Sequence, residues 1–162
     1  MMKPSIVTLV PCIAAILVSG DGRAQNQPIG YDIAAIQAKL FYENRGRFSA
    51  NIIDNPKIVL WNVVIGEGTV EGPSSNTLLI VRLQGPPRIV AEGLKLHVFA
   101  RTERDTLVDR EIEVGPMNST GNYYAPFWLE DTGCFPVVID AQLTLGNKHQ
   151  RRSAHIPFAC GE

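Results

Sequence analysis

The 162-residue chain carries 15 Lys and Arg against 16 Asp and Glu, a formal net charge of −1, and 45% of it is hydrophobic. So even a balance gives no concentrated basic face of the kind that binds nucleic acid by displacing counterions from phosphates. Fourteen glycines and eleven prolines imply many turns, without the excess that marks disorder.

The first segment is a targeting signal by its pattern. Lys3 supplies the positive start, Ile6 to Val18 an apolar run, and Gly22-Arg23-Ala24 small residues where a signal peptidase reads, so residues 1–24 are expected to be removed. The run is shorter than the roughly 20 residues that cross a bilayer as a helix, so no membrane span is expected in the mature chain. Cys12 follows Pro11, where lipoprotein processing wants a small residue. Loss of Lys3, Arg23 and Asp21 leaves 138 residues with 13 basic and 15 acidic side chains, the size of one domain, 25–162, in the periplasm or outside the cell.

Gln25 to Gly30 reads as a linker. Next, Ile33, Ile36 and Leu40 recur at near-helical spacing while Leu40-Phe41-Tyr42 looks like a strand, so this stretch is mixed. Ile58 to Ile65 is a nearly continuous apolar run, expected to be a strand covered on both faces, and Gly66 to Asn76 a loop. Thr77 to Gln84 is a strand ended by Gly85-Pro86-Pro87. Leu94 to Arg101 alternates, with Leu94, Leu96, Val98 and Ala100 inward; Thr106 to Val114 repeats the pattern more weakly. Tyr123 to Glu130 is an aromatic strand. From Phe135 to Leu145 every odd position is apolar, and His149 to Cys160 closes the domain. About seven strands between Gly/Pro-rich turns, with no long helix, predict an all-β fold, an antiparallel β-sandwich.

Export would leave Cys134 and Cys160 as the two thiols in an oxidising compartment, and they are expected to form a disulfide closing a C-terminal hairpin that turns at Gly146-Asn147-Lys148. Direct pairing of the cysteines places Val137 beside Pro157. A shift that sets Val137 opposite Phe158 and Ile139 opposite Ile156 matches the apolar faces better and calls for a β-bulge near Pro136 or Pro157. Such a bridge is worth roughly 3 kcal/mol by loop entropy.

Few side chains suggest chemistry. His97, His149 and His155 lack metal-ligand spacing on any one element, and Asp54, Glu67, Glu71, Asp105 and Asp109 lack a calcium-loop pattern, so no metal or cofactor is expected. Ser74-Ser75 lacks the Gly-x-Ser-x-Gly elbow of a strained nucleophile. Glu130-Asp131 would point to opposite faces of a strand. Asn118-Ser119-Thr120 is a glycosylation sequon. What remains is a set of rings, Tyr123, Tyr124, Phe127 and Trp128, of the residue types that dominate interface contacts. They are the candidate binding surface of a non-enzymatic module, with an envelope protein or a second copy as partner. A small hydrolase, with His97 or His155 near Ser74 or a carboxylate, and a carbohydrate-binding module are the alternatives.

Two resemblances accompany this reading. Asp131-Thr132-Gly133 resembles the Asp-x-Gly-x-Tyr corner of immunoglobulin-like domains, with Cys134 in place of the tyrosine, and so implies an immunoglobulin-like version of the fold without that corner's hydroxyl bond. Leu60-Trp61-Asn62, Trp128-Leu129 with Asp131 to Cys134, and the ending Ile156 to Glu162 are similar to a group of small exported bacterial proteins of unassigned function.

Overall fold

The computed structural model describes residues 30–53, 58–60, 69–133 and 135–160. The signal-peptide segment, most of the Ile58 to Ile65 run and Cys134 lie outside these residues. Among the described residues there is no helix; the chain forms β1 (Asp32–Tyr42), β2 (Arg47–Phe48), β3 (Ile58–Leu60), β4 (Asn76–Gln84), β5 (Lys95–Arg101), β6 (Thr106–Glu113), β7 (Asn122–Leu129), β8 (Val137–Leu145), β9 (Lys148–Ile156) and β10 (Phe158–Cys160). None of it is a helix long and apolar enough to cross a membrane.

Two four-stranded antiparallel sheets carry the fold, ordered β2-β1-β4-β7 and β6-β5-β8-β9, and a short parallel pair joins β10 to β3. Alternation fills one core from both sheets. Ala38, Leu40, Leu79, Val81, Leu83, Ala125, Phe127 and Leu129 come from the first, and Leu96, Val98, Ala100, Val137, Ile139, Ala141 and Leu143 from the second.

β1 is strand throughout, because a bulge between Ile33 and Ala35 inserts one residue and turns Ile33 and Ile36, three apart, to the same buried side. The backbone groups freed near that bulge are taken by the other sheet. Ile33 N donates to Gln150 Oε1 at 2.8 Å, and Arg152 Nη1 donates to the carbonyls of Ile33 at 3.0 Å and Ala34 at 2.8 Å. Gln150 is held in turn by Asp32. These bonds tie edge strand β9 to β1 and curl the two sheets together at that corner. Arg152→Ala is expected to lower the unfolding free energy by about 1–2 kcal/mol, since two carbonyls lose a charged donor; urea denaturation reads this, and an unchanged midpoint would remove the corner from the stability argument.

The hairpin β8–β9 differs from its expected register. Val137 faces Ile156, Ile139 faces Ala154 and Ala141 faces Arg152, and the pairing runs to Leu145↔Lys148 without a bulge. Two causes combine. The turn has only two residues, Gly146 and Asn147, with Gly146 at φ 56° in the first position, the pattern of a II′ turn. In addition, the inner face of β9 presents Gln150 and Arg152, which are satisfied on β1 rather than by apolar partners. Pro157 has no N–H to continue the ladder. The chain leaves β9 there, and β10 runs parallel to β3 with Cys160 beside Leu60. The hairpin therefore ends at Val137 and Ile156, and Cys160 belongs to a different strand pair. Phe135 precedes β8 and lies under the Arg104 guanidinium, 4.1 Å from its ring centre.

Candidate partner-binding face

The first sheet's outer face is built from residues one step out of phase with the core. Pairing fixes its rows: Phe48, Phe41 and Asn76; then Lys39, Leu78 and Trp128; then Gln37, Ile80 and Pro126; then Ala35, Arg82 and Tyr124; and a polar end row of Asp32, Gln84 and Asn122. Glu130 continues the first row by alternation beyond Leu129, and is exposed. Phe48, Tyr124 and Trp128 remain 44%, 52% and 41% exposed, although they are large apolar or aromatic side chains. Phe41 and Phe48 meet at 5.3 Å between ring centres, Phe41 and Trp128 at 5.9 Å, and Phe48 and Trp128 at 6.3 Å with their planes 87° apart. These are edge-to-face separations. Leu78, Ile80 and Pro126 carry the apolar surface on towards Tyr124.

Of the four rings expected to form the surface, the structure divides the set. Tyr124 and Trp128 lie on the outer face, while Phe127 is 4% exposed and sits in the core opposite Leu79. Tyr123 is half-buried against that core, opposite Leu83. Phe127 is therefore removed from the candidate surface, because β7 carries rings on both phases and only the partner strand decides which phase faces inward. Phe41, Phe48, Leu78 and Ile80 join the surface. The signal for Leu78 and Ile80 was present in β4, where Leu78, Leu79, Ile80 and Val81 are all apolar, a pattern that suits a strand covered on both faces.

The second sheet's outer face is of the opposite kind. Lys95 Nζ lies 2.8 Å from Glu111 Oε1, a bond that raises the lysine pKa, and His97 Nε2 lies 2.7 Å from Asp109 Oδ1. Arg151 Nε donates to Gln142 Oε1 at 2.6 Å, and the Ser153 hydroxyl donates to Asp140. A depression of about 300 Å³ lies between His97, Phe99, Asp140, Gln142 and Arg151. Its serine neighbour is bonded to a carboxylate, with no histidine as base. Ser74 Oγ donates to the Asn76 carbonyl and Ser75 Oγ to Glu43, beside the ends of β4 and β1 in the first sheet, whereas all three histidines lie on strands of the second. Among the described residues no group of three or more His, Cys, Asp and Glu side chains is arranged to hold a metal ion.

The corner after β7 is fastened in its own way. Asp131 and Gly133 adopt positive φ, at 48° and 56°. Between them, Thr132 N and Oγ1 both donate to the Ser75 carbonyl, at 3.0 and 3.2 Å, and the buried hydroxyls of Thr77 and Thr132 are 3.2 Å apart. The Thr132 hydroxyl thus bonds this corner to the backbone just before β4. Asn118 of the sequon is exposed and closes a local turn, its Oδ1 accepting from the N–H groups of Thr120 and Asn122.

Comparisons of the chain with protein-family models, curated proteins and solved structures return no match.

Proposed function

We propose that this chain is an exported, non-enzymatic binding or structural module of the cell envelope, acting in the periplasm or outside the cell through the outer face of sheet β2-β1-β4-β7. One observation carries the reading. Phe48, Tyr124 and Trp128 stay exposed beside Leu78, Ile80 and Pro126 on one sheet, while the other sheet's outer face bears the Lys95–Glu111 ion pair and the His97–Asp109 contact. A contiguous apolar patch on a folded surface marks an interaction site, because leaving it in water forgoes the burial energy that a partner would return.

Export rests on the N-terminal pattern of Lys3, Ile6 to Val18 and Ala24. In the same reading the architecture is an immunoglobulin-like sandwich. Apart from the two-residue edge strand β2, the sheet orders β1-β4-β7 and β6-β5-β8-β9 support that assignment, as does the fastened corner at Asp131-Thr132-Gly133. Cys134 and Cys160 are paired in this view, with the bridge joining the end of that corner to β10. Free thiols in non-reduced, denatured protein would remove the bridge.

The ring geometry favours a protein partner over a glycan. Sugar rings stack on open, roughly coplanar aromatic faces, whereas Phe48 and Trp128 are perpendicular and Phe41 packs against both. The experiment compares wild-type protein with Tyr124→Ser and Trp128→Ser as baits, by light scattering and by capture from envelope extract. Wild type is expected to associate with itself or a specific partner, and the variants to lose at least about tenfold in affinity, as hot-spot truncation does. Variants that keep a near-native melting temperature exclude misfolding as the cause. A strictly monomeric wild type with no Trp128-dependent partner overturns the proposal.

A further inference from the structure

The face proposed above is self-complementary, and we infer that its occupant is a second copy of this chain, packed face to face about a two-fold axis that crosses the strands. The inference rests on the binding reading and names its partner. Charge placement carries it. Of the four rows inside the polar end row, the first ends in Glu130, the second begins with Lys39, and the fourth holds Arg82. The carboxylate and the guanidinium thus lie at opposite ends of the apolar strip.

A two-fold axis in the plane of the face, perpendicular to the strands and midway between the second and third rows, lays the first row on the fourth and the second on the third. Each strand then faces its own copy, running in the opposite direction. Trp128 meets Pro126 of the second copy, Leu78 meets Ile80, Phe41 meets Ala35 and Lys39 meets Gln37, so on β1, β4 and β7 each large apolar side chain faces a smaller or matching one, while Phe48 on the two-residue β2 lies at the rim. Arg82 faces Asn76 of the second copy, one strand spacing of about 4.8 Å from Glu130 of that copy. Tyr124 also faces Glu130. No like charges are opposed. The alternative axis, parallel to the strands and running along β4 at the middle of β1-β4-β7, would set Arg82 against Arg82 and is disfavoured by repulsion at close range.

The area sets the strength. Four rows at about 6.8 Å and three to four strands at about 4.8 Å span roughly 400–500 Å² per copy, below the ~800 Å² per partner of a standard stable interface. The dimer is therefore weak and concentration-dependent, with the two sheets crossing at the roughly −30° that sheet twist imposes on aligned packing.

Sedimentation equilibrium of the purified protein between about 1 μM and 1 mM tests this. A reversible monomer–dimer equilibrium is expected, since interfaces of this size fall in the weak class. Arg82→Glu should weaken it by about tenfold or more, as lost interfacial charge pairs do. The swap Arg82→Glu with Glu130→Arg should restore dimerisation to within a few-fold of wild type, which a merely structural role for Arg82 would not produce. Circular dichroism and melting temperature of each variant confirm that it is folded. A strict monomer at 1 mM, or a dimer indifferent to both changes, overturns the inference. If such a monomer still captures an envelope protein or a glycan through Trp128, the second copy is the wrong occupant and the binding face survives. If nothing depends on Trp128, both readings fall.

Discussion

Leu79→Ala is expected to lower the unfolding free energy by about 3–5 kcal/mol, the upper part of the range for buried Leu to Ala. Leu79 has no exposed surface and lies on β4, the strand between β1 and β7, where it faces Ala38 on one side and Phe127 on the other. Ala38 is too small and Phe127 too stiff to fill the space left by the three lost carbon atoms, so a cavity persists and adds to the lost transfer energy. Against a total stability of about 5–15 kcal/mol for a domain, that loss is large enough to leave much of the protein unfolded at 37 °C. Leu78→Ala makes the contrast. Its side chain is only partly buried on the outer face, so the expected loss is under about 1.5 kcal/mol, the price of partial burial alone, while the effect on association is large. Urea unfolding of the pair reads the difference. Equal losses from the two leucines would mean that the outer face is already covered in the folded monomer, and the binding proposal would lose its basis.

The same pair of leucines shows where the sequence is informative. In β8 and β5 one phase is apolar and the other is polar except for Val138 and Phe99, so inward residues such as Ile139 and Val98 can be named from alternation alone. In β4 both phases are apolar, and alternation cannot separate the phase facing the core from the phase facing a partner. β7 has the same ambiguity in aromatic form, which is why Phe127 and Trp128 look alike until Leu79 and Leu78 are seen opposite them. β1 is obscured for another reason: its bulge breaks the period of two and produces helical spacing at Ile33, Ile36 and Leu40. The hairpin register of β8 and β9 depends on long-range bonds from Gln150 and Arg152 to residues more than a hundred positions away, which no local pattern carries. The outer face itself is assembled from β1, β2, β4 and β7, so its continuity exists only in three dimensions.

The second large effect is expected at Gly121, which sits at the end of the outer face where β7 begins. Its φ is +75°, and a Cβ there would lie 2.5 Å from the carbonyl oxygen of Gly85. The backbones approach this closely because Gly85 N donates to the Gly121 carbonyl at 2.9 Å, just beyond the Gln84↔Asn122 pair. Gly121→Ala therefore meets two penalties at once. The left-handed conformation costs an L-residue about 1–2 kcal/mol, and the clash is with backbone, which can move only by breaking the Gly85 bond and shifting the end of the β4–β7 ladder. A total loss of about 3 kcal/mol is expected, combining that strain with a hydrogen bond worth about 1 kcal/mol and the displaced ladder end. Gly93 separates the terms. Its φ is also +75°, but nothing lies within 4 Å of a Cβ at that position. Gly93→Ala should therefore show the conformational penalty alone, about 1–2 kcal/mol. Thermal or urea unfolding of the two variants gives the difference directly, and equal losses would show that the close approach of Gly85 and Gly121 yields without cost. Because Arg82 and Tyr124 stand one row in from that junction, the shift in Gly121→Ala should also weaken self-association, which Gly93→Ala leaves unchanged.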